Sequence, residues 1–580
     1  MSNIKFVRPS YSKKDIDKIK ELKTNLPYSP VLIDILYERG YKTEDDIEVF
    51  FNGNLNYLND TSTMKDADKF VEILKETIEN NEKIVDYSDY DVDGVSSAIV
   101  TVKALRNLGA KVEYYINNRF TGGYGINKAG IDAILAVHPD TKLIITTDNG
   151  IAAHEAVSYA KDKGLKVIVT DHHEPTIDDK GNQILPEADA VIDVKRLDET
   201  YPFSGLCGCG VIFKLLLYYY WITGNSLDFM YSLLDIVGLA TECDVVPLID
   251  ENRILVKEGL KLMRKGTRSA FESLRTKMEV TEIDSYTLGF KYGPAINALG
   301  RLDGEASDAV NLFLTDDESE IDRLAQNLVD ENKERKKISD EQTKLAIENI
   351  DANNLPNVIV SYQEEFHEGV AGIIAGRIKE KFHRPAIVLS SSGYTHPTLG
   401  KICKASARSI QGVHMFECLG KLSKYLEKFG GHEMAAGFSI YEKNIPKFTK
   451  AFNELIEGTD FTKEIVIDCV LNATEVDIDS ISELKLLDPF GASFAEPVFG
   501  LDNFKVDIEN SRYRYMGQNH EHLKLQNKEG LRLIAFNGAK KYQDLCEPLE
   551  VKAIGTPQIN CYKGMLSPQF VVMNDFIQKK

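Results

Sequence analysis

The sequence has no long apolar segment. No uncharged run in the 580 residues approaches the roughly 20 apolar residues that a membrane helix requires. The N-terminal stretch, MSNIKFVRPSYSKKDIDKIK, also lacks the apolar centre of a signal peptide. We therefore expect a cytoplasmic protein that does not associate with membranes.

Cysteine and positive charge are both scarce. Among the eight cysteines only Cys207 and Cys209 lie close together in sequence, and their spacing is not that of a zinc ribbon. We therefore expect all eight to be buried free thiols. The 69 Lys and Arg residues against 89 Asp and Glu give a net charge of -20, which at first sight disfavours nucleic acid as a partner. Bound divalent cations would reverse the local sign, however, so net charge does not decide the question.

The chain is too long for one hydrophobic core, and its middle part alternates β-branched runs with amphipathic stretches. This alternation predicts an α/β fold with a doubly wound parallel sheet and a ligand site at the carboxyl ends of the strands. The predicted strands are KIVDY (83–87), KVEYYI (111–116), KLIITT (142–147), LKVIVT (165–170) and DAVIDV (189–194).

Three further patterns follow along the chain. The polar segment 317–350 has helical spacing without Gly or Pro, which predicts a long connector helix. A second alternating unit comprises NVIVSY, GVAGIIAGRIKEKF and PAIVLS. From about residue 462 short alternating strands, from EIVIDCVL to QFVVMND, predict a small barrel.

Acidic and imidazole side chains follow three of the predicted strands, and parallel strands bring them to one rim of the sheet. That many carboxylates would repel one another unless cations were bound. Oxygen ligands with imidazole favour two Mn²⁺ or Mg²⁺ ions over structural zinc, and such pairs are typical of phosphodiester hydrolysis. The residues are Asp89, Asp91, Asp93, Asp148, Asp171, His172 and His173.

Each motif alone has an ordinary interpretation. Asp-x-Asp-x-Asp-Gly is also typical of a turn or a calcium loop, although the Glu that closes an EF-hand is missing here. Asp-Asn-Gly is common in turns, and adjacent histidines often lie on a surface. The occurrence of all three after successive parallel strands favours the metal site.

At these residues the sequence resembles the Asp-His-His (DHH) phosphoesterase superfamily, and within it the RecJ family of single-strand-specific 5′ exonucleases. The resemblance covers nearly the whole chain. The motifs that carry it are SDYDVDG, TTDNG, TDHH (170–173), ATECDVVPL (240–248), YGPAINALGRLD (292–303), HEGVAGIIAGRI (367–378), ASARSI (405–410), FGGHEMAAGF (429–438) and LDPFGASFAEPVF (487–499).

The resemblance implies a hydrolase that needs two Mn²⁺ or Mg²⁺ ions and digests single-stranded DNA from its 5′ end to 5′-mononucleotides, in DNA repair and recombination. It also implies a monomer, with a single-strand-binding protein or a helicase as a further partner. The implied domains are an N-terminal helical cap (1–60), a DHH catalytic domain (61–316), a connector helix (317–352), a DHH-associated substrate-binding domain (353–460) and an OB-fold β-barrel (461–580).

The resemblance further implies roles for individual residues. One metal would be held by Asp89, Asp91 and Asp148, and the other by Asp93, Asp148, His172 and Asp244. His173 would act as general acid or phosphate contact, with Asp171 beside it. The implied substrate contacts are Arg119, Tyr124, Asn297, Arg301, Ser406, Arg408 and His432. Aromatic and basic residues of SRYRYMGQNHEHLKLQ on the barrel are expected to stack on bases.

The sequence departs from the family pattern at Ala295, where Arg is usual, and at Ala405 and Ala407, where Gly is usual. Two other functions remain open. One is a phosphodiesterase for short oligonucleotides or small phosphoanhydrides, against which the C-terminal strands argue. The other is an inactive scaffold, against which the complete set of metal-ligand residues argues.

Overall fold

The computed structural model describes residues 4–8, 10–512 and 514–579. They divide into two compact units. The first unit contains residues 59–247 and 251–463, and the second contains residues 4–58, 248–250 and 464–580. The helices and strands are numbered below in chain order.

The N-terminal segment is mainly helical and belongs to the second unit. Its elements are β1 (Ile4–Val7), α1 (Lys13–Asn25), α2 (Pro30–Glu38) and α3 (Glu44–Asn52). Ser12 and Thr43 begin α1 and α3 with reciprocal capping hydrogen bonds, which satisfy free N–H groups of the first turn.

The first unit begins with alternating helices and strands. The elements are α4 (Ala67–Glu79), β2 (Lys83–Ser88), α5 (Val92–Asn107), β3 (Lys111–Ile116), α6 (Lys128–Val137), β4 (Thr141–Thr147), α7 (His154–Asp162), β5 (Lys166–Asp171), β6 (Thr176–Ile177), β7 (Gln183–Ile184) and β8 (Ala190–Asp193). Five strands form a parallel sheet of order β3-β2-β4-β5-β8, while β6 and β7 form a separate hairpin. The five predicted strands are confirmed to within two residues, and so is the α/β class.

Helices cover both faces of this sheet, as the near-continuous apolar strands require. Residues of α6 and α7 share a core with one face, and α5 and the following helix α8 (Gly208–Ile222) pack on the other. Strand order reverses between β2 and β4, and a ligand crevice is expected outside the strand ends at such a point.

A helical region completes this part of the chain, with a π-helical turn at Leu288–Tyr292. After α8 come α9 (Leu227–Tyr231), α10 (Leu234–Cys243), α11 (Asp250–Arg264), α12 (Ser269–Lys277), α13 (Ser285–Thr287), α14 (Gly293–Leu302), α15 (Ser307–Leu314) and α16 (Glu318–Glu348). Helix α16 is the helix predicted in the polar segment, and it buries one stripe that includes Leu324 and Leu328.

A second sheet follows in the same unit. The elements are β9 (Ile359–Tyr362), α17 (Glu368–Phe382), β10 (Ala386–His396), β11 (Gly400–Arg408), α18 (Met415–Lys421), β12 (Leu426–Gly431), β13 (Ala435–Tyr441) and α19 (Ile445–Leu455). The five strands have the order β12-β13-β11-β10-β9. Helix α17 packs over β9 and β10 on one face, and α18 and α19 share a core with the other face.

The C-terminal part of the second unit is rich in strands. The elements are β14 (Lys463–Val466), β15 (Cys469–Asn472), α20 (Ile478–Leu484), β16 (Phe499–Lys505), β17 (Tyr515–Met516), β18 (His522–Gln526), β19 (Arg532–Ala535), α21 (Ala539–Asp544), β20 (Glu550–Tyr562) and β21 (Met565–Lys579). A mixed seven-stranded sheet has the order β15-β16-β20-β21-β19-β18-β17, and β14 pairs with β1. Leu36 and Phe50 of the N-terminal helices share one core with Phe504 and Leu533 of this sheet.

Short 3₁₀ segments lie at Leu55–Tyr57, Thr61–Thr63, Ser423–Tyr425, Glu442–Asn444 and Lys485–Leu487. Within the described part of the chain, no helix is both long and apolar enough to cross a membrane. All eight cysteines are free thiols.

Candidate metal and nucleic-acid site

The loop after β2 positions three carboxylates. Asp91 begins α5, and its side chain accepts hydrogen bonds from the backbone N–H groups of Asp93 (2.9 Å) and Gly94 (3.2 Å). A Cβ on Gly94 would lie 2.3 Å from the carbonyl oxygen of Asp89, so only glycine allows this tight turn. The loop thereby directs Asp89, Asp91 and Asp93 to one end of the sheet.

The N-terminus of α8 lies against this loop. Gly208 and Cys209 donate backbone hydrogen bonds to the Asp93 carboxylate at 2.6 and 2.9 Å, where the helix dipole favours an anion. A Cβ on Gly208 would lie 2.6 Å from the Cβ of Asp148. Sequence reasoning missed these donors, although the glycines of LCGCG are the signal for such a close approach.

His172 lies between three of the carboxylates. Its Nε2 is 3.1 Å from Asp148, 3.6 Å from Asp244 and 3.7 Å from Asp93. Three groups have ligand atoms that all lie within 4.8 Å of one another. They are Asp89, Asp91 and Asp148; Asp93, His172 and Asp244; and Asp148, His172 and His173.

The carboxylates of the cluster are buried close together, and this arrangement favours the binding of cations. Burial, and then the neighbouring carboxylates, raise the pKa values of Asp89, Asp148 and Asp244 well above the usual range. The same causes raise the pKa of Asp93 to about 6. Burial, and then the charge of His173, lower the pKa of His172 to about 3, which keeps its imidazole neutral.

The donor set fits divalent metal ions. Oxygen atoms of Asp89 and Asp244 are buried without a hydrogen-bond partner among the described residues, and a bound cation would satisfy both. Carboxylate oxygens with a neutral imidazole are ligands that suit Mn²⁺ and Mg²⁺.

Asp171 faces His173 and the backbone. Its carboxylate accepts hydrogen bonds from the N–H groups of Ile151 (2.9 Å) and His172 (2.7 Å), and lies 2.7 Å from Nδ1 of His173. Burial opposes protonation of His173, but the hydrogen bond to Asp171 and the charges of Asp171, Asp244 and Asp91 together outweigh it and raise the His173 pKa to about 9. Tyr124 lies beside this pair, with its hydroxyl 3.2 Å from Nδ1 of His173.

A cavity of about 430 Å³ in the first unit is lined by four of the predicted substrate contacts, which are Arg119, Arg301, Ser406 and Arg408. Arg301 donates to the carbonyl of Gly369 at 3.2 Å, and Arg119 lies 5.1 Å from the ring centre of Tyr90. Burial, and then Arg119 and Arg335, lower the pKa of Arg301 to about 10. Within the described residues no carboxylate pairs with these three cavity arginines, which is the arrangement expected for a phosphate group.

The remaining predicted contacts lie outside this lining. Asn297 is half-buried on α14, and His432 is exposed at the turn after β12. The charge of His173 contributes, after burial, to a lowered pKa of His432.

The family departures face the protein interior. Ala295 is fully buried, and Ala405 and Ala407 belong to the core of the second sheet.

The predicted base-stacking stretch is only partly available for that role. Arg514 pairs with Glu547 at 3.0 Å, and the hydroxyl of Tyr515 donates to the same carboxylate. Tyr513 lies outside the described residues.

Three family models match the chain in order. They are the DHH family, N-terminal domain (residues 83–241), the DHHA1 domain (355–458) and the RecJ OB domain (467–574). These matches and the structural comparison below confirm the predicted fold class.

Individual relatives match over most of their length. The single-stranded-DNA-specific exonuclease RecJ of Escherichia coli is 33% identical over 97% of this chain and 98% of its own. The enzyme of the same name from Bacillus subtilis is 33% identical over 96% of this chain and 69% of its own. The crystal structure of RecJ in complex with Mn²⁺ from Thermus thermophilus superposes with a TM-score of 0.83 at 26% identity, over 100% of this chain and 80% of that one. The chain therefore belongs to the RecJ family of the DHH superfamily.

Proposed function

We propose that the chain is a single-stranded-DNA-specific exonuclease that uses two Mn²⁺ or Mg²⁺ ions and releases 5′-mononucleotides from the 5′ end. The observation that carries the proposal is the occurrence, in one unit, of two carboxylate-rich ligand groups and an arginine-lined cavity. The names of the relatives in E. coli and B. subtilis support the same activity.

In this proposal Asp148 would be a ligand of both metals. Asp89 and Asp91 would complete one ligand set, and Asp93, His172 and Asp244 would complete the other. When bound, a pair of divalent cations lowers the pKa of a coordinated water and neutralises charge on a phosphodiester. The α8 N-terminus holds the Asp93 carboxylate in place through two backbone hydrogen bonds.

His173 supplies positive charge, or a proton, to the reacting phosphodiester. Its hydrogen bond to Asp171 keeps the ring protonated at neutral pH and fixes its orientation. Hydrolysis breaks the bond from phosphorus to the 3′ oxygen of the first nucleotide, and that oxygen takes up a proton as it leaves. Asp171 is thus a positioning residue for His173.

The arginine cavity holds the 5′ end. Arg119, Arg301 and Arg408 can each offer a planar pair of donors to a terminal phosphate, and Ser406 adds a hydroxyl. A strand anchored there would place its first phosphodiester at the metals. We expect Asn297, Tyr124 and His432 to contact the strand between the two sites.

Single strands labelled at either end test the proposal directly. With Mn²⁺ present, a 5′ label should be released first and as a mononucleotide, and chelation should stop the reaction. Loss of the 3′ label first would overturn the polarity. Hydrolysis confined to oligonucleotides of a few residues would favour the phosphodiesterase for short substrates.

Roles in DNA repair and recombination, a monomeric state, a cytoplasmic location and a single-strand-binding protein or helicase as partner also belong to this proposal. The relatives' names support a role in DNA processing. Light scattering of the purified chain, alone and mixed with a single-strand-binding protein, tests the monomer and that partner.

A further inference from the structure

One face of the second sheet carries a row of polar side chains that the proposed exonuclease reaction does not use. Ser390 on β10 is directly opposite Lys404 on β11, which is opposite Ser439 on β13, which is opposite Lys428 on β12. These four residues, named here the outer row, therefore lie side by side across four adjacent strands. All four line the cavity that also contains the arginines.

The outer row lies beyond the arginines as seen from the metal site. Lys404, Ser406 and Arg408 alternate along β11, so they share one face, with about 7 Å between successive side chains. Arg408 is opposite Ala435, whose carbonyl accepts a hydrogen bond from the backbone N–H of His432 at 2.8 Å, and the charge of His173 contributes, after burial, to the lowered pKa of His432. The direction from the metals is therefore Arg408, Ser406 and then Lys404.

Ser390 gives the second indication of a ligand. It is fully buried, and its hydroxyl has no hydrogen-bond partner among the described residues. A buried hydroxyl without a partner is costly, so a bound acceptor would stabilise it. Space is available at the opposite end of the row, because a Cβ on Gly430, two residues beyond Lys428 on β12, would meet no atom within 4 Å.

The charge of the outer row suits an anion. Lys404 binds Glu368 at 2.8 and 2.9 Å, which neutralises one cation. The exposed Lys428 has no ion-pair partner in the part of the chain that the structure describes, so the row keeps one net positive charge. Hydroxyls of Ser390 and Ser439 add two neutral donors.

We propose that the outer row is a second anion subsite, which takes the outer phosphates of a strand with a 5′-diphosphate or 5′-triphosphate. This inference rests on the proposed function, in which the arginines hold the first 5′ phosphate. A strand with a 5′-monophosphate leaves the row empty. A 5′-triphosphate extends away from the metals, in the direction of Lys404 and Ser390.

The reaction on such a strand is the same hydrolysis. Water adds across the phosphodiester between the first two nucleotides, and the 3′ oxygen of the first nucleotide leaves with a proton. The first product is then a nucleoside 5′-triphosphate, and the shortened strand carries a 5′-monophosphate. All later products are 5′-mononucleotides.

The test compares two strands of one sequence that differ only in a 5′-monophosphate or 5′-triphosphate. With Mn²⁺, the wild-type chain should release the intact nucleoside triphosphate first and degrade the two strands with comparable kcat/KM. In Ser390→Ala and Lys428→Met the ratio of triphosphate to monophosphate kcat/KM should fall about five- to ten-fold, because one donor to a charged phosphate is lost. Lys447→Met, an exposed lysine on α19, is the matched control and should leave the ratio unchanged.

Binding separates this inference from the proposed function. Fluorescence anisotropy of both strands in a chelator does not require hydrolysis, so an inactive chain still tests the subsite. Ser390→Ala should weaken binding of the triphosphate strand selectively. Equal losses for both strands, or a first product without its triphosphate, would each overturn the proposal.

Discussion

Asp148 is the residue on which both ligand groups depend. Its carboxylate belongs to the group with Asp89 and Asp91 and lies 3.1 Å from Nε2 of His172. Its backbone φ of 60° is in the left-handed region, which costs a non-glycine residue energy and which Asp tolerates better than most. The strained turn after β4 directs the side chain back over the strand ends. The backbone conformation of Asp148 therefore places the carboxylate that both ligand groups need.

We expect Asp148→Asn to bind neither metal tightly and to lose hydrolysis. Asparagine keeps the size and the tolerance for positive φ but removes the charge that offsets two cations. Electron paramagnetic resonance of free Mn²⁺ measures the number of bound ions, and end-labelled strands measure turnover. Asp140→Asn, an exposed residue before β4, is the control. Near-normal turnover by Asp148→Asn would contradict the two-metal proposal.

Asp171 stabilises the protonated form of His173, and substitution of Asp171 tests this role. Against the effect of burial, the hydrogen bond between them and the neighbouring carboxylate charges raise the His173 pKa to about 9, so the charged ring is present below that pH and is lost as the pH rises through it. In Asp171→Asn this charge is lost at lower pH. The alkaline limb of the pH–rate profile should therefore move to lower pH, and kcat should fall by about 100-fold.

Asp162→Asn, at the exposed end of α7, controls for loss of one carboxylate. An alkaline limb that does not move in Asp171→Asn, with kcat close to that of wild type, would show that Asp171 does not act through His173.

At the scale of elements, the sequence predicts the strands of the first sheet well because buried parallel strands are apolar runs ended by polar residues. The run 83–88 also contains Asp86, which is fully buried and accepts hydrogen bonds from the hydroxyls of Ser88 (2.6 Å) and Thr147 (3.0 Å). This link joins β2 to β4 directly beside the metal-ligand residues. Periodicity cannot show it, because Thr147 is distant from Asp86 in sequence.

Contacts between distant segments were not predictable for the same reason. The outer row combines residues from four strands, and the hydrogen bonds from α8 to Asp93 join two distant segments. The hydrophobic periodicity of a single segment predicts neither of them. Among the short alternating stretches of the C-terminal segment, FKVDIEN (504–510) favours a strand, but the strand lies at Phe499–Lys505, since alternation alone does not fix where pairing with β20 begins. The helices of residues 4–58 also share a core with C-terminal strands, although each segment has its own local pattern.

Helix α17 approaches the end of α14 so closely that glycine is required between them. A Cβ on Gly369 would lie 1.8 Å from the carbonyl oxygen of Arg301. We expect Gly369→Ala to displace this contact and the Arg301 side chain with it, which raises KM for single-stranded DNA by about ten-fold or more. The number of bound Mn²⁺ ions should not change, because Arg301 belongs to the cavity.

Gly376→Ala on the same helix is the matched control, because a Cβ there meets no atom within 4 Å. Alanine should stabilise the helix by about 0.5–1 kcal/mol and leave KM unchanged. Equal KM values for the two variants would show that the contact between α14 and α17 does not position the arginine.

For the whole molecule, a net charge of -20 coexists with a proposed polyanionic substrate because the charges are segregated. Carboxylates concentrate at the metal site, where bound cations would reverse the local sign, and the arginines that line the cavity have no carboxylate partner among the described residues. Without metal, the same carboxylates are buried close together and oppose folding as they ionise.

Metal binding should therefore stabilise the chain more at alkaline than at neutral pH. Raised pKa values of Asp89, Asp148 and Asp244 mean that the metal-free folded state binds more protons than the unfolded state, so its stability falls as pH rises. His173, with a pKa of about 9, acts in the same direction, and His172, neutral in the folded state, opposes this only near its unfolded pKa of about 6.5. Excess Mn²⁺ at about 100 times its Kd adds about 2.7 kcal/mol to the free energy of unfolding.

Thermal unfolding of the chain with chelator or with Mn²⁺, at about pH 6.5 and pH 8.5, measures this difference. Buried Asp86 and Asp193 have pKa values raised by burial to about 7 and 8, and they lower stability equally with and without metal. The gain in Tm on adding Mn²⁺ thus isolates the ligands. It should increase with pH in the wild-type chain and nearly vanish in Asp148→Asn, whereas a gain that is equal at both pH values would mean that the carboxylates are already ionised and paired without metal.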